Sequence, residues 1–137
     1  MDGRIEAPVP DTPSPLVLLV EDDRDSREMY AFALGMAGFQ TAEAATMGEA
    51  RTAAMALRPD VLVTDLTLPD GDGWQLCSEL RADERLRDTI MIALTGHSGQ
   101  DEMAAAAAAG CSKVLVKPCT PDLLASEIAS AIAERAR

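Results

Sequence analysis

Residues 61–74 read VLVTDLTLPDGDGW, and the way this stretch is read decides the fold. It opens with Val61, Leu62, Val63 and Thr64, the β-branched and apolar composition of a strand buried on both faces. The next residue is Asp65, a carboxylate at the mouth of that strand, and Pro69, Gly71 and Gly73 follow it closely. Trp74 then begins a helical pattern that extends to about Ala82. Strand, turn and helix in that order make one βα repeat. A charge at the end of an apolar strand is costly unless something compensates it.

Working outward, the same alternation recurs on both sides. LVLLV (16–20) is an apolar run, and the DSREMYAFALGMAG that follows offers Asp25 as a cap, Glu28 three residues on, and Gly38 as a stop. FQTAEA, from Phe39, is a strand with polar residues interleaved. TMGEARTAAMAL opens on a Thr46-x-x-Glu49 capping box and ends before Pro59. Beyond residue 74 come IMIAL, an alanine-rich helix DEMAAAAAA stopped by Gly110, KVLV, and a last helix with Thr120 as cap and Pro121 in its first turn.

Five short runs alternating with five helices predict an α/β fold, a doubly wound (βα)5 unit whose parallel five-stranded sheet is covered on both faces. The second run is the most polar and belongs at an edge. That selects strand order 2-1-3-4-5, the flavodoxin-like arrangement. Residues 1–15 (MDGRIEAPVPDTPSP) carry four prolines and no apolar period, and are expected to be a disordered tail or linker. The folded domain is expected over 16–137, with no second domain.

Composition narrows the function. At 137 residues, 47% of them hydrophobic, the chain fits one domain with a real core. A formal charge of −11 argues against a phosphate-backbone binder, so no nucleic-acid partner is expected. Cys77, Cys111 and Cys119 have no metal-like or CxxC spacing and read as reduced thiols. Without a leader or an apolar stretch of spanning length, the expectation is cytoplasmic, with no membrane partner.

In open parallel sheets the ligand site lies beyond the carboxyl ends of the strands. Those ends carry Glu21, Asp22 and Asp23, then Asp65, then Thr95 and Gly96, then Lys117 and Pro118. Grouped carboxylates repel, and one would protonate unless a cation joined them. A lone lysine cannot neutralise three acids, whereas Mg²⁺ suits a few carboxylates plus waters. Beside it, Lys117 and Thr95 would suit a tetrahedral anion such as phosphoryl, with Asp65 as nucleophile. The Asp70-Gly-Asp-Gly stretch hints at a calcium loop but lacks the later ligands, and reads as a tight acidic turn.

The motifs LLVEDD, TDLTLPDGDG, ALTG and VLVKP, in this order, make Leu16 to about Ala133 resemble the response-regulator receiver domain of two-component signalling. The resemblance implies that Glu21 and Asp22 hold Mg²⁺ with Asp65 and the backbone carbonyl of Thr67. It implies that Asp65 is the phosphoacceptor, Thr95 the hydroxyl that bonds the phosphoryl group, and Lys117 its ammonium partner. Pro69 and Gly73 match the turn after the phosphoacceptor, and Pro118 a residue often joined through a cis bond. The implied donor is a histidine kinase or a histidine phosphotransfer protein. The implied output is a protein contact on the face of helix 4, strand 5 and helix 5, with a phosphorylation-dependent dimer left open.

Such a protein is a signalling module, catalysing only its own phosphotransfer and dephosphorylation. Val114 departs from the pattern, standing where the family usually has the aromatic residue that reports phosphorylation. That keeps a second reading open, a degenerate receiver acting as a constitutive binding module; a receiver cut from a larger hybrid protein is another. In the family it resembles, the positions that Thr67 and His97 occupy here tune hydrolysis of the acyl phosphate. A haloacid-dehalogenase-type hydrolase would want a second Asp where Thr67 stands. A flavin or nucleotide carrier would want a phosphate loop where the three acids stand.

Overall fold

The computed structural model describes residues 14–96 and 100–135. The chain runs β1 (Leu16–Val20), α1 (Arg24–Met36), β2 (Gln40–Ala44), α2 (Met47–Leu57) and β3 (Val61–Asp65). A two-strand ribbon follows, β4 (Thr67–Leu68) and β5 (Gly71–Asp72), then α3 (Gly73–Arg81) and a 3-10 turn at Glu84–Leu86. Last come β6 (Ile90–Thr95), α4 (Gln100–Ala109), β7 (Lys113–Val116) and α5 (Pro121–Arg135).

The main sheet has the order β2-β1-β3-β6-β7, with every pairing parallel. Counting only its five strands in chain order, that is 2-1-3-4-5, as the polarity of the second run implied. Alternate strand residues point to opposite faces, so the sheet divides the core into two layers. Leu18, Val20, Leu62 and Met91 face α2 and α3, packing on Met47, Leu76, Cys77 and Leu80. Val17, Leu19, Val63, Ile92 and Leu94 face α1 and α5, packing on Tyr30, Leu34, Leu124 and Ile128.

Caps account for most helix boundaries. Thr46 accepts from the Glu49 N–H at 3.1 Å, and Glu49 Oε1 accepts from the Ala45 N–H at 2.8 Å, so this box reaches one residue further back than its usual form. Thr120 caps α5, its Oγ1 accepting from the Leu123 N–H at 3.1 Å. At α1 the expected cap is corrected. Asp23, not Asp25, is the N-cap, accepting from the Ser26 N–H at 2.9 Å. Glu28 pairs with Arg24 one turn back, at 2.9 Å, instead of closing a capping box. The reason is that Asp23 leaves β1 with extended backbone (φ −75°, ψ 116°), the geometry a cap needs, whereas Asp25 is already in the first helical turn.

The tail expected over residues 1–15 falls mostly outside the described residues, as does His97. Among the described residues no helix is long and apolar enough to cross a membrane.

Candidate functional site

The parallel sheet delivers the ends of β1, β3, β6 and β7 to one edge. Asp65 closes β3, in register with Leu94 of β6, and Thr95 is the next residue on that neighbour. Lys117 directly follows β7, and its N–H donates to the Thr95 carbonyl at 2.7 Å. Glu21 follows β1, and its N–H donates to Ala44 of β2 at 3.0 Å. Backbone bonds of the sheet thus set the positions of the candidate side chains.

The Lys117 ammonium lies 2.8 Å from Asp65 Oδ2 and 3.8 Å from Glu21 Oε1. Asp65 Oδ1 accepts from the Leu66 N–H at 2.9 Å. Glu21 is 3% exposed, and its Oε2 accepts from the Asp23 N–H at 3.0 Å. Burial pushes the Glu21 carboxyl above its usual range, the Asp23 N–H opposes this, and the charge of Asp65 adds to the rise. For Lys117 burial works toward a lower value. The hydrogen bond to Asp65 and the charges of Asp65 and Glu21 outweigh it, and the net direction is upward.

Glu21, Asp22 and Asp65 each offer a carboxylate oxygen, and these atoms all lie within 4.8 Å of one another. Three carboxylates against one ammonium leave the cluster short of positive charge. An all-oxygen donor set of this size suits a hard divalent cation that keeps several waters, which is how Mg²⁺ binds. The residues present therefore fit the metal that the sequence implied.

The remaining candidates fall around this cluster. Thr95 is buried at 2% exposure, and Thr67 is exposed in the ribbon, paired with Asp72. Lys117–Pro118 is a cis peptide. Gly73 is dictated by close approach: a Cβ there would lie 2.5 Å from the Asp65 carbonyl oxygen. Its N–H donates to the Leu66 carbonyl at 2.8 Å, folding the loop back over the end of β3.

Two acids of the turn have work that sequence reasoning missed. Asp72 is the N-cap of α3, accepting from the Gln75 N–H at 2.8 Å. Asp70 reaches across to α2, its two oxygens accepting from Met47 N–H at 2.8 Å and Gly48 N–H at 3.1 Å. The D-x-x-Q spacing after Asp72 was a local signal. Asp70 gave none, because its partners precede it by more than twenty residues.

Against known families, residues 17–129 match the response regulator receiver domain. The chain belongs to the response regulator receiver family. This receiver is 31% identical over 112 residues to the phosphate regulon transcriptional regulatory protein PhoB of Pseudomonas aeruginosa, covering 82% of this chain and 49% of that one. It is 36% identical over 105 residues to the transcriptional regulatory protein PrrA of Mycobacterium tuberculosis, covering 77% and 44%. The chain thus spans about half the length of the curated relatives it matches. Among solved structures, the chemotaxis response regulator CheY4 of Vibrio cholerae superposes with a TM-score of 0.81 at 27% identity, over 85% of this chain and 98% of that one. In this receiver Val114 lies half-buried on β7 in register with Ala93, as a strand residue with no aromatic ring to reposition.

Proposed function

We propose that this receiver takes a phosphoryl group onto Asp65 from a phosphohistidine on a histidine kinase or phosphotransfer protein. The observation that carries the reading is the Lys117–Asp65 contact of 2.8 Å beside the Glu21–Asp22–Asp65 cluster. An Asp65 carboxylate oxygen attacks phosphorus, the N–P bond breaks, and the electron pair returns to the histidine ring. Glu21, Asp22, Asp65 and the Thr67 carbonyl would hold Mg²⁺, which when bound offsets negative charge on the transferring group. Lys117 gives up one carboxylate oxygen as the phosphoryl arrives and supplies its ammonium to a phosphoryl oxygen instead. Thr95, next to Leu94 on the neighbouring strand, supplies a hydroxyl from the same side.

The output is a protein contact, on the face of α4, β7 and α5. Support comes from β7 being the outer strand of the sheet, with Val116 40% exposed there and Leu123 45% exposed on α5. The setting is the cytoplasm, where the phosphohistidine donors of such systems present their histidine. Residues 1–15 serve as a tail or linker to the domain.

Incubation with acetyl phosphate and Mg²⁺, read by intact mass, tests the reading. The expected result is one phosphoryl adduct that Asp65→Asn removes. An adduct that persists in Asp65→Asn, or none in the unaltered chain, overturns it.

A further inference from the structure

Phosphoacceptor chemistry leaves Cys77 and Cys111 unused. Cys77 lies on α3 with no exposure, while Cys111 is half-buried in the connection from α4 to β7. Both are free thiols, and their Sγ atoms lie 3.5 Å apart although 34 positions separate them in the chain. A disulfide bond measures about 2.05 Å, so bridging asks for roughly 1.5 Å of approach. Cys111 follows the helix stop Gly110 and belongs to no helix or strand, which makes it the partner that can supply this shift.

Arg81 stands one turn after Cys77 on α3. Its guanidinium donates to the Gly110 carbonyl at 3.1 Å and so is held beside Cys111. The hydrogen bond with Cys77 draws the Cys111 thiol below its ordinary range, burial opposes this, and the charge of Arg81 assists. The same hydrogen bond, with burial, pushes Cys77 up. The half-buried Cys111 is thus the thiol drawn toward the thiolate, and the fully buried Cys77 the one shifted toward the thiol. Reactive cysteines and their resolving partners divide in this way.

We propose that Cys77 and Cys111 form a thiol-redox site, closed to an intramolecular disulfide by peroxide and reopened by a dithiol. The Cys111 thiolate attacks one peroxide oxygen, the O–O bond breaks, and hydroxide leaves to be protonated to water. Cys111 is thereby oxidised to the sulfenic acid and the peroxide is reduced. Cys77 then attacks the Cys111 sulfur and loses its proton; the S–O bond breaks, water leaves, and the S–S bond forms. A dithiol returns both sulfurs to thiols and becomes a disulfide itself. The bridge ties α3 to the segment that enters β7, the strand that leads into Lys117.

The test is to treat the full chain with hydrogen peroxide, alkylate it under denaturing conditions, and read intact mass and peptide maps. The proposal expects alkylatable thiols to fall from three to one, with a Cys77–Cys111 linked peptide that dithiothreitol dissolves. Cys111→Ser should abolish the link. Cys77→Ala should leave Cys111 as a sulfenic acid that dimedone traps. Should Cys77→Ala fail to fold, Cys111→Ser, at the half-buried position, carries the comparison alone. Retention of three alkylatable thiols, a bridge between two chains, or conversion of Cys111 to sulfinic acid without a bridge would overturn it.

Discussion

One ammonium facing three carboxylates sets the behaviour of the site at the scale of single residues. Lys117 is tied to Asp65 at 2.8 Å, so its charge is already aimed at the carboxylate proposed to take the phosphoryl group. Preorganised donors of this kind act mainly on the transition state. Lys117→Ala is therefore expected to slow acetyl-phosphate labelling of Asp65 about 100-fold, as followed by the adduct fraction over time. Gly73→Ala acts on the same residue through the backbone, since its Cβ would meet the Asp65 carbonyl oxygen at 2.5 Å. Forcing an atom into so close a contact costs about 1–3 kcal/mol. Loss of stability in denaturant melts should accompany slower labelling, because the backbone that must shift includes the Asp65 carbonyl at the end of β3. Asp65 and Lys117 were legible in the sequence because each ends an apolar strand, and topology alone brings such ends together. The need for glycine at position 73 was visible only as part of a family resemblance; its cause is a contact that no local pattern encodes.

Among the elements, helix ends show how far sequence reading carried. Thr46 and Thr120 were legible because a cap bonds the helix that follows it, two or three positions on. Asp23 was not, since three consecutive acids and Asp25 all offer a side chain, and only the exit angle of β1 selects among them. Asp70 goes further, capping α2 from the loop after β3. The bond from the Met47 N–H holds its carboxyl below the usual range; burial opposes this, and the Gly48 N–H adds to the lowering. A depressed folded value means stability that is present above the unfolded value near 3.8 and is lost as pH falls through the folded one. Asp70→Ala should lower the thermal midpoint at neutral pH. The gap to the unaltered chain should stay level down to about pH 4 and close below it, as read by circular dichroism melts over a pH series. Arg81 is the other cross-element tie. Its guanidinium donates to the carbonyls of Leu86, Arg87, Thr89 and Gly110 at 2.7–3.3 Å, joining α3 to the entry of β6 and the end of α4. A hydrogen bond from a charged donor is worth about 1.5–3 kcal/mol and less where water competes. Arg81→Met, which keeps the aliphatic stem, is expected to cost about 2 kcal/mol in urea unfolding.

For the molecule as a whole, electrostatics pull in two directions. A net charge of −11 repels itself everywhere, and Glu21, Asp22 and Asp65 concentrate part of that repulsion within 4.8 Å. Any cation relieves the first effect by screening, but only a cation held by the cluster relieves the second. Screening depends on ionic strength, with a Debye length of about 10 Å at 0.1 M, and does not distinguish sodium from magnesium at equal ionic strength. Specific binding to the folded state instead stabilises by RT ln(1 + [L]/Kd), about 2.7 kcal/mol at a hundredfold excess over Kd. Millimolar Mg²⁺ should therefore raise the melting temperature by several degrees more than NaCl of matched ionic strength, and a chelator should remove the excess. Asp22→Ala separates the two effects. It deletes an exposed carboxylate of the cluster without touching the core, so the response to NaCl should survive while the additional response to Mg²⁺ disappears. An equal rise with both salts would mean that the three carboxylates are merely screened. The polarity of β2 and the apolar runs of the other strands had already placed these acids on one sheet edge, but their separation depends on side-chain rotamers set by Lys117 and the Asp23 and Leu66 N–H groups. The matched-salt experiment measures that separation in free energy, since the preference for a divalent over a monovalent ion falls as the carboxylates are moved apart.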